Sequence, residues 1–326
     1  MEIYFGTVER AAPIAEGGRL VRLDWDRKQV LGEVPIYPED PDLEDDPNPR
    51  GGGRGCRGIV VGRDRVIALG YHTIHEFDRS LERRRDTTHG LMVGLHEAAL
   101  TKEGRLWVAA TAIDRALEYD MRTGSLTRQF SPRDDTALQS AFDLEPLDID
   151  TSSDNRALWL EHGSKADPSH LHLNAVAVAG NRVLALFNRF GAIVDLTEQR
   201  VLVRDDALER GHNLVVLPDG TLVSNDTHGR TIRFYDAGKG ELVQIVDLMA
   251  FPWVRGLRRA ARQTEHQVAK PLFVRGMAFF GRHIYVGVSP ASILCIDWRT
   301  SALKDVYEHS DDIRTAIHGL ATAPDA

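Results

Sequence analysis

The chain is poor in cysteine and has no long apolar run. Cys56 and Cys295 are the two cysteines in 326 residues, and neither sits in a CxxC spacing. That excludes the common zinc and dithiol motifs and fits reduced thiols in a cytoplasmic protein. No stretch reaches the roughly 18 apolar residues that a membrane helix needs, so no membrane partner is expected. The opening MEIYFGTVER lacks the basic start and apolar stretch of a secretory signal. Basic residues form no stripe beyond the run from Arg255 to Arg262, and the formal charge is −8. Nucleic acid, which calls for clustered Lys and Arg, is therefore not an expected partner. GxGxxG before a helix, GxxxxGK[ST], HExxH and GxSxG are all missing, which removes the dinucleotide, P-loop, zincin and nucleophile-elbow readings.

What is present is a repeat. A polar residue opens a short apolar strand. A tight turn leads to a second apolar strand, and a third strand ends in an apolar residue followed by Asp. The copies run from Arg57 to Asp78, His96 to Asp120, His172 to Asp195, His212 to Asp236 and Arg275 to Asp297, so the openings lie 21, 24, 23, 24 and 22 positions before the Asp. Lys102-Glu103-Gly104, Gly180-Asn181 and Pro218-Asp219-Gly220 supply the turns, where positive φ is needed. The closing Asp can accept from the backbone two residues on, which fits it to open the next turn. A sixth copy is split. The N-terminus gives IYFGTVE and RLVRLD without a first strand, and His318-Gly319-Leu320 near the C-terminus repeats the opening phrase.

Six copies of a four-strand unit predict an all-β chain, a six-bladed β-propeller forming one domain over 1–326. Pairing of the C-terminal strand with the N-terminal ones would remove the exposed sheet edges. The copies are unevenly spaced because of insertions at 37–55, 131–171 and 248–273. All three precede a first strand, so they are expected to form a lid on one face. Leu257, Ala260 and Ala261 give the last of them a helical spacing.

First strands line a propeller's channel. Their opening residues read His318, Arg57, His96, His172, His212 and Arg275. Imidazole is a common ligand for transition metals. His96, His172, His212 and His318 are therefore the expected ligands of a divalent transition metal (Fe, Cu or Zn), and the His170-Leu171-His172 pair leaves His170 as an alternative to His172. Arg57 and Arg275 are expected to hold an anionic group by paired hydrogen bonds. Asn174 lies two residues beyond His172 and, on a regular strand, faces the same way. The loops between second and third strands add His72, Arg189, Asp226 and His228. Of these, His72 and Arg189 are, with Asn174, the expected substrate contacts. Asp226 and His228, with His318, are the acid–base candidates, and Asp226 is also placed to orient an imidazole. Strict alternation would turn Asn213 away from His212 and Glu97 away from His96.

The repeat resembles the six-bladed propeller superfamily of gluconolactonase and senescence-marker-type hydrolases, strictosidine-synthase-like proteins and bacterial arylsulfotransferases, over nearly the whole chain. The resemblance to the gluconolactonase type implies an axial divalent cation held by Glu, Asp and Asn. Here those positions carry His and Arg, with Asn174 alone in keeping. His and Arg at the axis look closer to the arylsulfotransferases, which are usually exported. The histidine ring is also similar to the four iron-holding histidines of carotenoid-cleavage oxygenases, which have seven blades. Three functions remain open: a metal-dependent enzyme acting on an anionic small molecule or peptide, a metal-free His/Arg transferase or lyase, and a non-catalytic propeller whose rim meets a protein partner.

Overall fold

A computed structural model describes residues 1–37, 55–157, 167–262 and 272–324. Its described strands form six four-stranded antiparallel sheets, the six-bladed β-propeller class that the repeat predicts. Blade one pairs β24 (Thr315–Thr322) with β1 (Glu2–Glu9), β2 (Arg19–Asp24) and β3 (Gln29–Pro35). Blade two is β4 (Ile59–Val61), β5 (Val66–Leu69), β6 (Thr73–Phe77) and β7 (Arg83–Thr88). Blade three is β8 (Leu95–Leu100), β9 (Arg105–Ala110), β10 (Arg115–Asp120) and β11 (Ser125–Phe130). Blade four is β12 (Leu173–Ala179), β13 (Arg182–Phe187), β14 (Ala192–Asp195) and β15 (Arg200–Arg204). Blade five is β16 (His212–Val216), β17 (Leu222–Asp226), β18 (Thr231–Tyr235) and β19 (Leu242–Asp247). Blade six is β20 (Val274–Phe280), β21 (His283–Val288), β22 (Ser292–Asp297) and β23 (Ala302–Glu308). Two α-helices, α1 (Thr136–Phe142) and α2 (Pro252–Arg262), and several 3₁₀ turns complete the described elements. The helical spacing around Leu257 is thus realised in α2.

The chain divides into two compact units. The first comprises residues 1–86, 230–232 and 246–326; the second comprises 87–229 and 233–245. Blades one, two and six lie mainly in the first, and blades three, four and five mainly in the second.

Burial follows strand position. Inner strands such as β5, β13 and β22 are buried almost throughout, so their sequences read as near-continuous apolar runs rather than an alternation. Fourth strands such as β3, β11 and β19 are largely exposed or half-buried, and β3 and β19 leave Val30, Leu31, Leu242, Val243 and Ile245 exposed. The cores lie between neighbouring sheets. In the first unit Ile3, Phe5, Val21 and Trp25 pack on Tyr285, Ile293 and Cys295, and Tyr4 and Leu20 pack on Val66, Ala68 and Phe77. In the second, Trp107 and Ala116 face Val183, Phe187 and Val194, and Leu184 and Ile193 face Leu214 and Tyr235.

The expected closure is present. β24 pairs antiparallel with β1, from Ile3 opposite Thr322 to Glu9 opposite Thr315. The repeated Asp does what its turn position predicts. Its Oδ1 accepts the backbone N–H two residues on at Asp24, Asp78, Asp120, Asp195 and Asp236, at 2.8–3.0 Å. At Asp297 the donor is Thr300, three residues on.

Of the insertions, residues 38–54, 158–166 and 263–271 lie outside the described residues, and with them His162, His266 and most of the 37–55 segment. The described part of 131–171 holds no strand. It contributes α1, capped by Asp135 accepting from Leu138 N, and Leu138 and Phe142 join the core between blades three and four.

Two outcomes are expected. Phe187→Ala, which removes a fully buried ring packed 5.4 Å from Phe142, should cost about 3–5 kcal/mol in urea unfolding. The Ser80 hydroxyl and Glu82 N–H hold Asp78, and the Arg122 N–H and Arg105 hold Asp120, below the ordinary aspartate value of 3.8. Their contribution is therefore complete above that pH and is lost as pH falls through the lowered values. The urea midpoint should drop below pH 4, and less so in the double variant Asp78→Asn/Asp120→Asn.

Candidate functional site

In the second unit the openings of three neighbouring first strands converge. His96 and His172 stand with ring centroids 5.5 Å apart and 69° between planes. Asn174 Nδ2 reaches the carbonyl of Gly211, the residue before His212, at 2.8 Å, and Asn188 Nδ2 reaches the same oxygen at 2.6 Å. Asn213 Nδ2 donates to Glu97 Oε1 at 2.6 Å, from blade five to blade three.

That last contact overturns the strict-alternation expectation. Each of these strands shifts register at its opening: between Leu95 and Ala98, between Leu173 and Ala175, and between His212 and Leu214. A bulge puts two residues where the partner strand has one and re-aims the side chains. Asn213 lies at φ +58° and His172 at φ +52°, the left-handed region that Asn and His tolerate better than most residues. Two consecutive residues of a first strand thereby contribute to one polar cluster.

The buried carboxylate of Asp114 anchors the cluster. Asp114 ends a 3₁₀ turn at φ +52°, where the equivalent turn of blade four carries Gly191 at φ +55°. It is fully buried, and it accepts from His170 Nδ1 at 2.9 Å, Leu171 N at 2.9 Å and Leu173 N at 3.3 Å. Arg133 Nη1 lies 3.7 Å away and 2.6 Å from Asp167, and its Nε donates to Glu145 O. A buried carboxylate is tolerable only with such compensation. His170 passes the chain on, with Nε2 3.3 Å from His172 Nδ1. His170 thus stands between Asp114 and His172.

The tautomers follow from these partners. A carboxylate and a carbonyl only accept. His170 therefore carries a proton on Nδ1, facing Asp114, and in the neutral form of the ring its Nε2 accepts from His172 Nδ1–H. His96 Nδ1 donates to Gly94 O at 3.0 Å. His212 Nδ1 donates to Arg210 O and shares Thr227 Oγ1, both at 3.0 Å. In His96, His172 and His212 alike, Nε2 is left as the lone-pair nitrogen. A network behind His212 fixes its place: Asn225 Oδ1 accepts His212 N at 2.8 Å, and Asn225 Nδ2 donates to Asn213 Oδ1 at 2.7 Å.

The loop candidates take other places. Asp226 Oδ1 accepts from Gly229 N at 2.6 Å within its own turn, and Thr227 Oγ1 lies 3.0 Å from His212 Nδ1. His228 and Arg189 are exposed. Arg189 Nη1 donates to Asp167 O at 2.7 Å.

The first unit gathers the remaining candidates. A Cβ at Gly319 would sit 2.1 Å from Arg57 O, and one at Gly276 (φ +72°) 3.1 Å from His318 O. Only glycine lets these strand openings approach so closely, and this brings the backbones of Arg57, His318 and Gly276 together. The Arg57 guanidinium lies 4.8 Å over the Tyr71 ring, and that of Arg275 lies 5.3 Å over Phe273. Such stacking suits planar cations. His72 is buried edge-on against Tyr71, and His318 is buried on β24.

No protein-family model matches the chain, and no curated protein matches it in sequence. Similar solved structures exist. A protein of unknown function from Bacteroides caccae has 8% identity and a TM-score of 0.62 over 99% of both chains. A chain of a nidogen/laminin complex has 11% identity and a TM-score of 0.59, covering 98% of this chain and 97% of that one. Virginiamycin B lyase from Staphylococcus aureus has 11% identity and a TM-score of 0.51, covering 94% and 87%. At these identities the likeness establishes the propeller fold alone.

The ring assignments have a direct readout. In ¹⁵N-labelled protein at neutral pH, His96, His172 and His212 should each show a protonated Nδ1 and a pyridine-type Nε2, and Asp114→Asn should alter the pattern at His170 and His172 but not at His212.

Proposed function

We propose that the second unit holds a metal-free general-base centre of a lyase or transferase, with His172 as the base. The observation that carries this is the unbroken chain from Asp114 through His170 to His172. As substrate is deprotonated, its proton goes to His172 Nε2. The imidazolium that forms is stabilised through His172 Nδ1–H by His170. Shift of that Nδ1 proton to His170 Nε2 would place the positive charge against the Asp114 carboxylate, leaving His172 neutral with its proton on Nε2. A positioned base of this kind contributes about 10²–10⁴ in rate. His96, whose ring faces His172, is placed to return the proton to a leaving group once it is charged. That one structural neighbour is a lyase is in keeping with an elimination, the reaction class that needs base and acid together.

One observation favours a second reading. The Nε2 lone pairs of His96 and His172, each fixed by a hydrogen bond at Nδ1, have the arrangement that metal-ligating imidazoles show. Among the described residues, however, no group of three or more His, Cys, Asp or Glu side chains is placed to hold a metal ion, and the Nε2 of His170 is engaged with His172. Arg57, Arg275 and His318 belong to the first unit and are proposed there as an anion-holding group.

A panel of activated esters, lactones and β-elimination substrates gives the test. With a turned-over substrate, His172→Ala should lower kcat at least about 100-fold, and Asp114→Asn should lower kcat while leaving KM within about twofold. Protein stripped with a strong chelator should keep full activity. If stripping abolishes turnover and stoichiometric Fe, Cu or Zn restores it, the metal reading replaces this one.

A further inference from the structure

The outer strand of blade five differs from the outer strands of the other described sheets. An outer strand offers a row of ladder groups to any extended chain that meets it, and charged residues or proline on the strand keep such chains away. β7 carries three arginines, β11 carries Arg128, β15 is bounded by Arg200 and Arg204, and β23 carries Lys304 and Asp305. β3 exposes Val30 and Leu31 but carries Glu33 and closes on Pro35. β19 has no such guard from Leu242 to Val246, where it reads Leu-Val-Gln-Ile-Val. It stands last in its sheet, beyond β18. Leu242, Val243 and Ile245 are 41%, 58% and 43% exposed, half of the six exposed large apolar side chains among the described residues. Rich in β-branched residues, the segment holds the extended form well.

The ends of the strand set what it can take. Glu241 precedes it and Asp247 closes it, and both are exposed. Asp247 Oδ1 accepts from Met249 N at 2.8 Å, which holds that carboxylate at the strand end. A second copy pairing antiparallel about Gln244 would set Val243 opposite Ile245, an apolar match, but also Glu241 opposite Asp247 at both ends. Like charges directly opposite destabilise a pair of strands. An extended segment with Lys or Arg at those two places makes the same ladder and turns both repulsions into opposite-charge pairs.

We propose that β19 is a docking edge for an extended segment of another protein, apolar at its centre and basic at both ends, which adds to blade five as a fifth strand. Backbone hydrogen bonds along the edge supply affinity, Val243 and Ile245 the apolar contact, and Glu241 and Asp247 the choice of partner. The histidine cluster takes no part in this, so neither reading depends on the other.

The probe is acetyl-Lys-Val-Thr-Val-Thr-Val-Lys-amide, titrated into the full chain and followed by amide NMR and by the anisotropy of a labelled copy. It should bind saturably, with amide shifts centred on Leu242–Asp247 and β18. Its counterpart with glutamate at both ends should bind at least about fivefold more weakly, and a version N-methylated at alternate amides at least about tenfold more weakly. Val243→Lys/Ile245→Lys, at two exposed positions, should cost the Lys-ended peptide at least about tenfold in affinity and leave the urea midpoint in place. Glu241→Lys should bring the Lys-ended and Glu-ended peptides to within about twofold of each other. No saturable binding below about 1 mM would overturn the proposal, as would binding with shifts elsewhere or binding unimpaired in Val243→Lys/Ile245→Lys. Equal binding of the Glu-ended peptide to the wild type would overturn it too. So would sedimentation of the wild type as a dimer that the double variant returns to monomer, a result that gives the edge to a second copy.

Discussion

A carboxylate with no access to water depends on what surrounds it, and Asp114 is the group on which the second unit's polar cluster depends. Two backbone N–H groups, an imidazole and a nearby guanidinium compensate its charge. Each of those partners is thereby placed. Leu171 and Leu173 are fixed at the entry of β12, His170 is oriented, and His172 between them is held in the left-handed region. The charge thus organises a strand opening as well as a ring. Removing it would leave buried donors unsatisfied, at about 1–3 kcal/mol each, so the relay and the local fold share one origin.

The second organising element is the bulge at each first-strand opening. A regular strand offers one inward residue in two. The shift in register lets His96 and Glu97, and likewise His212 and Asn213, contribute to the same cluster. The Glu97–Asn213 bond joins blade three to blade five across the intervening blade four. Sequence-distant residues are brought together without any loop having to reach inward.

The sequence made the blades legible because inner strands are buried on both faces, and long apolar runs ending in Asp are hard to mistake. The capping role of that Asp, the closure by β24 and the nearness of His96 to His172 were readable from position in the repeat. The rest was not, for identifiable reasons. Asp114 occupies a turn position where its sister copy has Gly191, and only comparison of the two would have marked it. Glu97 and Asn213 were assigned outward because period-two alternation holds only for an unbulged strand. Thr227, which sits 3.0 Å from His212 Nδ1, was passed over because a threonine in a loop carries no motif of its own. Arg133 and Asp167 lie in the long insertion, outside the repeat, where position carries no information.

The closure in blade one has a bearing on how the molecule is made. Thr315 and Glu9, bonded through their side chains, are separated by 306 positions. During synthesis the strand Glu2–Glu9 emerges long before Thr315–Thr322, the mate it pairs with. Until then its ladder groups and the apolar side of Tyr4 and Phe5 stay unprotected, a window in which chaperone capture competes with misassembly.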